Sequence, residues 1–559
     1  MELRPLIVSL LALAVPATLA LAGLVAPRRA GLASAAALGL AALFAGVSGL
    51  LGGAGALVRV DAATSTMLLL VGALAAVIVR YSRTCLDGDP RLDHYLRWLL
   101  LTLAAITTLV VTSSLLVLAI AWGLASVTLH QLLTWYADRP AALVAAHKKF
   151  LVSRLADACL VVALWLVYAE VGSFDLDAIA AFVARGQALP TALEIGAVFL
   201  VLAVALRTAQ LPFHGWITQV MEAPTPVSAL LHAGVVNVGG FVLIRLAPWL
   251  GQAGAAQVLL VVIGIVSATV GALVMTTRVS VKVALAWSTI AQLGLMLVQC
   301  GLGLWSLALL HLVAHSLYKA HAFLSAGSAV DAWRVTSLRA KSAPASAARV
   351  VLASAAALAI AGAALWIVPA ATGPADVVFG LLLALSLVPL LTARAPAAGV
   401  AVQVGVVVGL YLGGHALAGL VLPTTPGHAI GWWITGAGLA TLFASERPST
   451  APRRPRPRPA RRSSPASSST SSSPAGRFAC GPSLPSPPPR PARRLPHRRR
   501  GAWRVMDDAL RAVVQRVSAH IAPTWPLDRF IAVNPFWGLI DAPTPAVAAR
   551  LGACPAPDC

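Results

Sequence analysis

The chain has 559 residues, of which 58% are hydrophobic and only 11% are charged, yet its formal net charge is +22. Soluble globular proteins carry about 25% charged residues, so this composition excludes an ordinary water-soluble enzyme as well as a disordered chain. Thirteen arginines lie in 448–500, a stretch without lysine or acidic residues, which leaves 22 − 13 = +9 for the rest. The basic character therefore belongs mainly to one short segment, and the remainder has the composition of a membrane domain.

Apolar runs long enough to cross a bilayer dominate the first 447 residues, since about 20 apolar residues span roughly 30 Å of hydrocarbon. About fifteen are predicted: 6–26, 32–57, 62–79, 96–112, 113–133, 150–170, 190–210, 227–250, 255–277, 281–302, 304–328, 348–370, 374–393, 398–421 and 428–445. The first run follows Arg4, but it is long and a second follows at once, so we interpret it as an anchor that stays. The predicted fold is an all-α, polytopic membrane helix bundle over residues 1–447.

Lysine and arginine are divided unequally between the two sets of loops, and such residues favour the cytoplasmic side. Loops after odd-numbered runs contain fourteen of them: Arg28, Arg29, Arg80, Arg83, Arg91, Arg97, Arg139, Lys148, Lys149, Arg278, Arg334, Arg339, Lys341 and Arg394. Loops after even-numbered runs contain at most three, which are Arg59, Arg185 and Arg245. We therefore predict a bacterial inner (plasma) membrane protein with a periplasmic N-terminus and a cytoplasmic C-terminal tail.

Two further segments follow the membrane domain. Residues 448–504 consist almost only of Pro, Arg, Ser and Ala, a composition that predicts a disordered linker. The linker could bind anionic lipid or RNA through charge alone, but a plain linker, or a stretch read out of frame, is the stronger interpretation. Residues 505–559 begin with helical apolar spacing and continue with aromatic residues and prolines. They form a short soluble stub that is too small to bury an independent core.

Ionisable side chains inside membrane spans are costly, and each is a functional candidate for that reason. The candidates are Asp157, Arg207, His232, Lys282, His311, His315 and Lys319. The last three are spaced i, i+4 and i+8, so they form one stripe on a helix. Histidine titrates near neutral pH and a buried lysine loses its proton readily, so the stripe suits a proton relay.

Two other interpretations of the stripe stay open. A metal site of the HxxxH kind needs a third ligand, and none is evident; the metalloprotease form needs a glutamate where Leu312 stands. The side chains could instead only form hydrogen bonds to neighbouring helices. The six cysteines contain no CxxC pair, so neither a zinc ribbon nor a disulfide framework is predicted.

A helix break is predicted just beyond Arg207, because Pro212 removes a backbone donor. Broken helices that line polar cavities recur in proteins that move ions. Arg207 keeps its proton, so it suits a fixed positive partner better than a proton carrier. Pro224 and Pro226 form a rigid turn, and His232 follows one to two helical turns later.

Four sequence motifs, in this order along the chain, carry a resemblance to a known family. They are SRLAD at 153–157, RTAQLPFHGWITQVMEAPTPVSALLHAG at 207–234, VKVALAWSTIAQLGLM at 281–296 and HLVAHSLYKAHAFLSAGS at 311–328. Over about 55–330 the chain resembles the antiporter-like subunits of respiratory complex I (subunit L/5 type) and of multisubunit cation/proton antiporters. The resemblance implies that a lysine on the broken helix, a glutamate on an earlier helix and a central His/Lys row pass protons between half-channels.

Departures from the family pattern weigh against a standard complex I proton pump. Gly123 follows Trp122 where the family has its glutamate, and Arg207 replaces the lysine of the broken helix. No lysine occurs after Lys341, so the family's later membrane lysine is missing too. The matching residues are Lys282, Lys319, His232, His311 and His315.

The sequence AHIAPTWPLDRFIAVNPFWGL at 519–539 resembles the start of DabA, the large soluble subunit of bacterial inorganic-carbon pumps. Its membrane partners, the DabB-type subunits, are shortened members of the antiporter-like family. The resemblance implies CO2 uptake and hydration to bicarbonate driven by protons or Na+, with zinc in a DabA-type partner and no cofactor or metal in this chain. Cys554 and Cys559 are not assigned to zinc.

The alternative function is a proton-translocating, subunit L/5-like component of an NADH–quinone oxidoreductase or of a multisubunit cation/proton antiporter. Catalysis by this chain alone is not expected, because no nucleophile–base arrangement is visible in the sequence. The expected partners are a DabA-type zinc subunit, the lipid bilayer and protons or Na+, with no specific nucleic acid.

Overall fold

The structure, a computed structural model, describes residues 3–51, 58–186, 188–328, 346–367 and 397–421, together with parts of 380–392. Within these ranges all regular secondary structure is helical, apart from two isolated β-bridges. The all-α prediction is therefore confirmed. The predicted run at 428–445, the linker at 448–504 and the stub at 505–559 lie outside the described residues, so the predicted domain boundaries stay predictions.

The helices follow the predicted runs closely, and every run up to 398–421 coincides with described helical residues. Among the described helices, ten segments are long and apolar enough to cross a membrane. The helices are α1 Leu3–Val25, α2 Ala30–Leu51, α3 Ala62–Cys85, α4 Leu92–Val111, α5 Leu115–Leu133, α6 Pro140–Val171, α7 Leu176–Val183, α8 Thr191–Arg207, α9 Gly215–Gln219, α10 Thr225–Leu230, α11 Val238–Arg245, α12 Ala247–Leu250, α13 Gly254–Met275, α14 Val281–Gly301, α15 Trp305–Leu324, α16 Ala347–Ile367 and α17 Ala397–Val421.

A glycine seam joins α13 to α14 at van der Waals distance. A Cβ at Gly264 would stand 2.6 Å from the Gly294 carbonyl oxygen, and a Cβ at Gly294 would meet the Gly264 carbonyl oxygen at the same distance. Gly271 and Gly301 are equally tight against backbone atoms of the facing helix. Helices in membranes associate through small residues because lipid offers no hydrophobic driving force between helices. These four glycines therefore fix how closely the two helices pack.

The predicted helix break is confirmed. Helix α8 ends at Arg207, and seven residues of turn precede α9, with Ala209 in the left-handed region at φ 54° and Pro212 in the turn. The Leu211 N–H, which the break leaves without a helical acceptor, donates to Ser267 Oγ on α13 at 3.1 Å. The break is thus satisfied by a neighbouring helix, as backbone at membrane depth requires.

A second irregularity lies between α10 and α11, where Leu231–Val235 form a π-helical turn. The Val236 N–H donates to the Leu231 carbonyl at 3.1 Å, five residues back instead of four. His232 sits within this turn. A π-turn inserts one residue and rotates the side chains that follow it, and such turns are frequent at functional sites.

Three basic residues predicted to lie in loops are helical and buried. Lys148 and Lys149 belong to α6, which begins at Pro140 and not near residue 150, and each is 4% exposed. Arg245 is the last residue of α11 and is also buried. Each finds oxygen acceptors inside the protein, which is why the helices extend through charged positions. Leaving out these three buried residues reduces the two sets of basic residues to 14 − 2 = 12 and 3 − 1 = 2, so the bias behind the predicted orientation remains.

Arg245 is held at the start of α3 by Asp61. Asp61 caps that helix by accepting the Thr64 N–H at 2.7 Å, and its other oxygen receives Arg245 Nη1 at 2.6 Å. Arg245 also donates to the Val110 carbonyl at 3.0 Å, so one guanidinium joins three helices. Burial raises the pKa of Asp61, but Arg245, the Thr64 hydrogen bonds and Arg59 together outweigh burial and hold it below its ordinary value of 3.8.

We expect Asp61→Asn to lower the free energy of unfolding by about 3 kcal/mol at neutral pH, because Arg245 is left buried without its counter-ion. Asparagine is itself a good helix cap, so the loss reports the charge and not the cap. Denaturant unfolding of the detergent-solubilised protein measures the difference. Arg28→Gln, which removes an exposed ion pair with Asp93, is the control and costs less than about 1 kcal/mol.

The pH dependence follows from the direction of the shift. A carboxyl whose pKa is lower in the folded state stabilises the protein above its unfolded pKa, and this contribution fades as the pH falls through the folded-state pKa. The difference between wild type and Asp61→Asn should therefore be full at neutral pH and disappear in acid. A difference that stayed constant on acidification would contradict the ion pair.

Candidate ion-translocation site

The stripe predicted on α15 lies against the protein interior. Lys319 is 0% exposed, His315 is 5% exposed and His311 is partly buried. The ring centroids of His311 and His315 are 6.1 Å apart. We call these three residues the α15 row. The structure places them on one face, as the spacing predicts.

Uncharged oxygens hold the ammonium group of Lys319. Its Nζ donates to the Leu285 carbonyl at 2.8 Å and to Ser288 Oγ, both on α14. A buried lysine bound only by dipoles keeps the freedom to lose its proton, whereas a carboxylate partner would hold the charged form. This environment suits a group that exchanges protons.

Two glutamines clamp the ring of His311. Gln299 Oε1 lies 3.0 Å from Nδ1, and Gln292 Oε1 lies 3.0 Å from Nε2. A neutral imidazole has only one N–H, so two oxygen acceptors are satisfied by the imidazolium, or by one glutamine turning its amide group. Protonation of His311 and the orientation of the two glutamine amide groups are therefore coupled.

His315 of the row and His232 of the π-turn each lie within hydrogen-bond distance of a polar side chain from another segment. His315 Nδ1 lies 3.2 Å from Asn237 Oδ1, and the Asn237 amide donates to Ser316 Oγ at 2.7 Å. His232 Nδ1 lies 3.1 Å from Thr289 Oγ1, and its ring stacks on Phe323 with centroids 4.3 Å apart. Among the described residues, Nε2 of each histidine is buried without a hydrogen-bond partner.

Sequence reasoning missed the acceptor face of α14, which comprises Leu285, Ser288, Thr289, Gln292 and Gln299. At 100° per residue these positions fall on one side of the helix, and the glycine seam falls on the opposite side. The signal was available in the motif VKVALAWSTIAQLGLM, where polar residues recur at helical spacing in an apolar run. None of these residues is ionisable, so a criterion based on charge does not identify this face.

Asp157 lies away from the row and pairs with two arginines. It forms an ion pair with Arg207 Nη2, and Arg154 Nη2 reaches its other oxygen at 2.8 Å. Arg207 also donates to the Trp122 carbonyl at 2.8 Å, and its guanidinium lies 4.6 Å from the centroid of that ring. Arg207 therefore has the charge partner that the sequence analysis expected of it.

Lys149, absent from the predicted candidates, is a further buried basic side chain on α6. Its Nζ donates to the carbonyl oxygen and hydroxyl of Ser126 at 2.9 and 2.8 Å. The adjacent Lys148 donates to Gln219 Oε1 at 2.8 Å. In the sequence, Lys148 and Lys149 form a pair at the edge of an apolar run. Assigned to a loop, they are not counted among the charges inside the membrane.

Lys282 lies at the first turn of α14, where its Nζ donates to Thr225 Oγ1 at 3.2 Å. Leu285, whose carbonyl accepts from Lys319, follows three residues later, so Lys282 stands one turn beyond the row. The candidates thus form two groups, one around α14 and α15 and one around Asp157 and Arg207. Within the described ranges no three His, Cys, Asp or Glu side chains come together to hold a metal ion.

Residues 112–389 match the family model of the transmembrane part of NADH:quinone oxidoreductase and Mrp antiporters. This part of the chain is similar to that antiporter-like family. The match contains α5 to α16 and therefore both groups of candidate residues. The match to this membrane family and the long apolar helices together show that the protein crosses the membrane several times.

Curated relatives carry the same segment. The chain is 48% identical over 295 residues to "Probable inorganic carbon transporter subunit DabB" of Hydrogenovibrio crunogenus, covering 53% of this chain and 57% of the relative. It is 44% identical over 349 residues to a DabB2 subunit of Halothiobacillus neapolitanus, covering 58% and 63%. With NADH-quinone oxidoreductase subunit L of Mycobacterium tuberculosis the identity is 32% over 278 residues, covering 49% and 43%. The chain thus aligns with between 43% and 63% of these relatives' lengths.

Solved structures agree on the fold. A chain of the Mrp complex from Dietzia sp. matches with TM-score 0.53 at 24% identity, covering 77% of this chain and 49% of that one. A chain of a membrane-bound sulfane sulfur reductase, an archaeal respiratory membrane complex, matches with TM-score 0.51 at 15% identity, covering 78% and 97%. These identities carry the antiporter-like fold and nothing about substrates.

We expect Gln299→Leu to lower the free energy of unfolding by about 1–3 kcal/mol, because it leaves a ring nitrogen of His311 without its partner. In a His311→Phe background the same change should cost less, with a coupling energy above about 0.5 kcal/mol. Denaturant unfolding of the four proteins measures the cycle. Gln257→Leu, a buried glutamine of α13 bonded to the Gly251 carbonyl, is the control and should show no coupling to His311. Additive effects of Gln299→Leu and His311→Phe would contradict the clamp.

Proposed function

We propose that the chain is the DabB-type membrane subunit of an energy-coupled inorganic-carbon uptake pump in the bacterial plasma membrane. It conducts protons or Na+ to drive CO2 hydration by a DabA-type zinc partner. The observation that carries the proposal is the buried α15 row against the acceptor face of α14, in a chain 48% identical to a probable inorganic-carbon transporter subunit over 295 residues.

The ion path runs through the candidate residues of both groups. Lys282, Lys319, His315 and His311 form its central part along α14 and α15, and Asp157 serves as a carboxylate relay on α6. Arg207 and His232 set the local charge. The unpartnered Nε2 atoms of His232 and His315 support the path, because a buried polar atom of this kind binds ordered water or exchanges a proton.

Coupling to the partner uses the broken helix. The turn after α8 lies next to Arg207, which is paired with Asp157, and its Leu211 N–H is anchored on α13. A change in the protonation of Asp157 weakens the Arg207 pair and frees the end of α8 to shift. This shift carries the energy of ion flow to the site where the partner hydrates CO2.

The second candidate is a proton-translocating subunit L/5-like component of a quinone oxidoreductase or a cation/proton antiporter. It is favoured by the 32% identity to a subunit L of Mycobacterium tuberculosis. The two functions differ in their neighbours: a following gene for a large soluble zinc protein supports carbon uptake, and a run of quinone-module genes supports the alternative.

We expect His315→Ala and Lys319→Ala each to abolish bicarbonate accumulation in cells that co-express a DabA-type partner, because each removes a member of the relay. The matched control is His321→Ala, which removes an exposed histidine from the same helix and should leave uptake unchanged. Labelled-bicarbonate accumulation measures uptake, and co-purification of the partner shows that assembly is intact. Normal uptake in both row variants would exclude the relay.

A second measurement separates the two candidate functions. The chain with its partner should restore growth of a carbonic-anhydrase-deficient strain in ambient air, and an uncoupler should remove the rescue. Each subunit alone should give no growth. Rescue by the chain without a partner, or rescue that an uncoupler does not affect, would contradict coupled carbon uptake.

A further inference from the structure

Three basic side chains of α6 and α8 lie near one another, and two of them pair with the same carboxylate. Arg207 and Arg154 both pair with Asp157, and Lys149 lies close enough for both guanidinium groups to repel its charge. Among the described residues no other carboxylate pairs with them, so a fully charged cluster carries 3 − 1 = +2. Uncompensated charge in a low-dielectric interior is strongly unfavourable, so the cluster lacks negative charge.

Lys149 is the member without a charged partner. Its side chain is 4% exposed, and its two hydrogen bonds go to the uncharged oxygens of Ser126. Arg207 is anchored on Trp122, four residues earlier on α5 and about 6 Å along the helix axis. Like charges at this range disfavour an ammonium, and a lysine amine that has lost its proton is a nucleophile.

The two arginines of this cluster offer hydrogen-bond donors for a small anion on that amine. The Nε atoms of Arg207 and Arg154 are buried and find no hydrogen-bond partner within the described part of the chain. Guanidinium groups bind planar oxyanions with two parallel hydrogen bonds, so two of them suit a carboxylate-shaped group.

We propose that Lys149 reacts reversibly with CO2 to form a carbamate that Arg207 and Arg154 hold. The lone pair of neutral Nζ attacks the carbon of CO2, a C–N bond forms, and one C=O π pair moves to oxygen. Nζ releases one proton to water, and no oxidant or reductant is needed. The carbamate carries one negative charge, so with Asp157 it balances the two guanidinium groups and the cluster becomes neutral.

The proposal deepens the proposed function, because it makes CO2 a ligand of the ion-conducting subunit itself. The carbamate competes with Asp157 for Arg207, so binding of CO2 changes the ion pair at the end of the broken helix. CO2 is small and apolar, and it reaches an amine in a membrane interior without a polar channel. The adduct forms whether or not the chain transports carbon, so its detection is independent of uptake.

The test uses the wild-type full chain in native membranes with its co-expressed partner. Membranes are equilibrated with ¹³C-labelled CO2 and bicarbonate, treated with triethyloxonium to convert carbamates to stable esters, and digested for mass spectrometry. We expect the labelled adduct on Lys149. The matched control lies in the same peptide: Lys148 is equally buried but is bonded to Gln219, so it should carry no adduct above background.

A second measurement covers poor access of the trapping reagent to the buried site. The ¹³C NMR spectrum of the labelled, purified complex should contain a carbamate resonance that Lys149→Arg removes and Lys148→Arg retains. Absence of both the adduct and the resonance in wild type, or equal labelling of the two lysines, overturns the proposal. If uptake fails while the adduct forms, the proposed function is wrong and the carbamate site stands; the reverse result removes only the carbamate.

Discussion

Backbone polar groups inside the hydrocarbon layer must find partners within the protein, because no water is there to bond them, and a buried polar side chain is costly without a partner. The interior of this chain is organised by that constraint. Lys319 is held by a carbonyl and a hydroxyl, His311 by two glutamines and Arg207 by Asp157 and the Trp122 carbonyl. The candidate residues for ion movement therefore depend on hydrogen-bond partners that neighbouring helices supply.

The same constraint explains why the two irregular helices are tolerated. The break after α8 leaves backbone donors that helix geometry no longer satisfies, and Ser267 of α13 receives one of them. The π-turn that carries His232 directs the ring towards Thr289 and onto Phe323. At the break a side chain of another helix replaces the lost backbone acceptor, whereas the π-turn keeps its own backbone bond from Val236 to Leu231. A candidate residue stands at each interruption, Arg207 at the first and His232 at the second.

Much of the fold could be predicted from the sequence, because a membrane span is specified by length and apolarity alone. The break near Pro212 and the α15 row could be predicted as well, since proline chemistry and helical spacing are local properties. The burial of Lys149 and Arg245 could not, because it depends on oxygens donated by helices distant in sequence, Ser126 on α5 and Asp61 before α3. The two amides that clamp His311 escaped for a related reason: glutamine carries no charge, and only the structure shows that it faces a histidine.

The glycine seam has a mechanical consequence for the ion path. Because α13 and α14 approach through backbone atoms at glycines, rotating either helix would bring a larger side chain into this close contact. The acceptor face of α14 therefore stands on a rigid two-helix frame, and the turn after α8 is tied to the same frame through Ser267. Any rearrangement that gates the path must be made by the helices around this frame, while the frame keeps the acceptor oxygens at constant spacing.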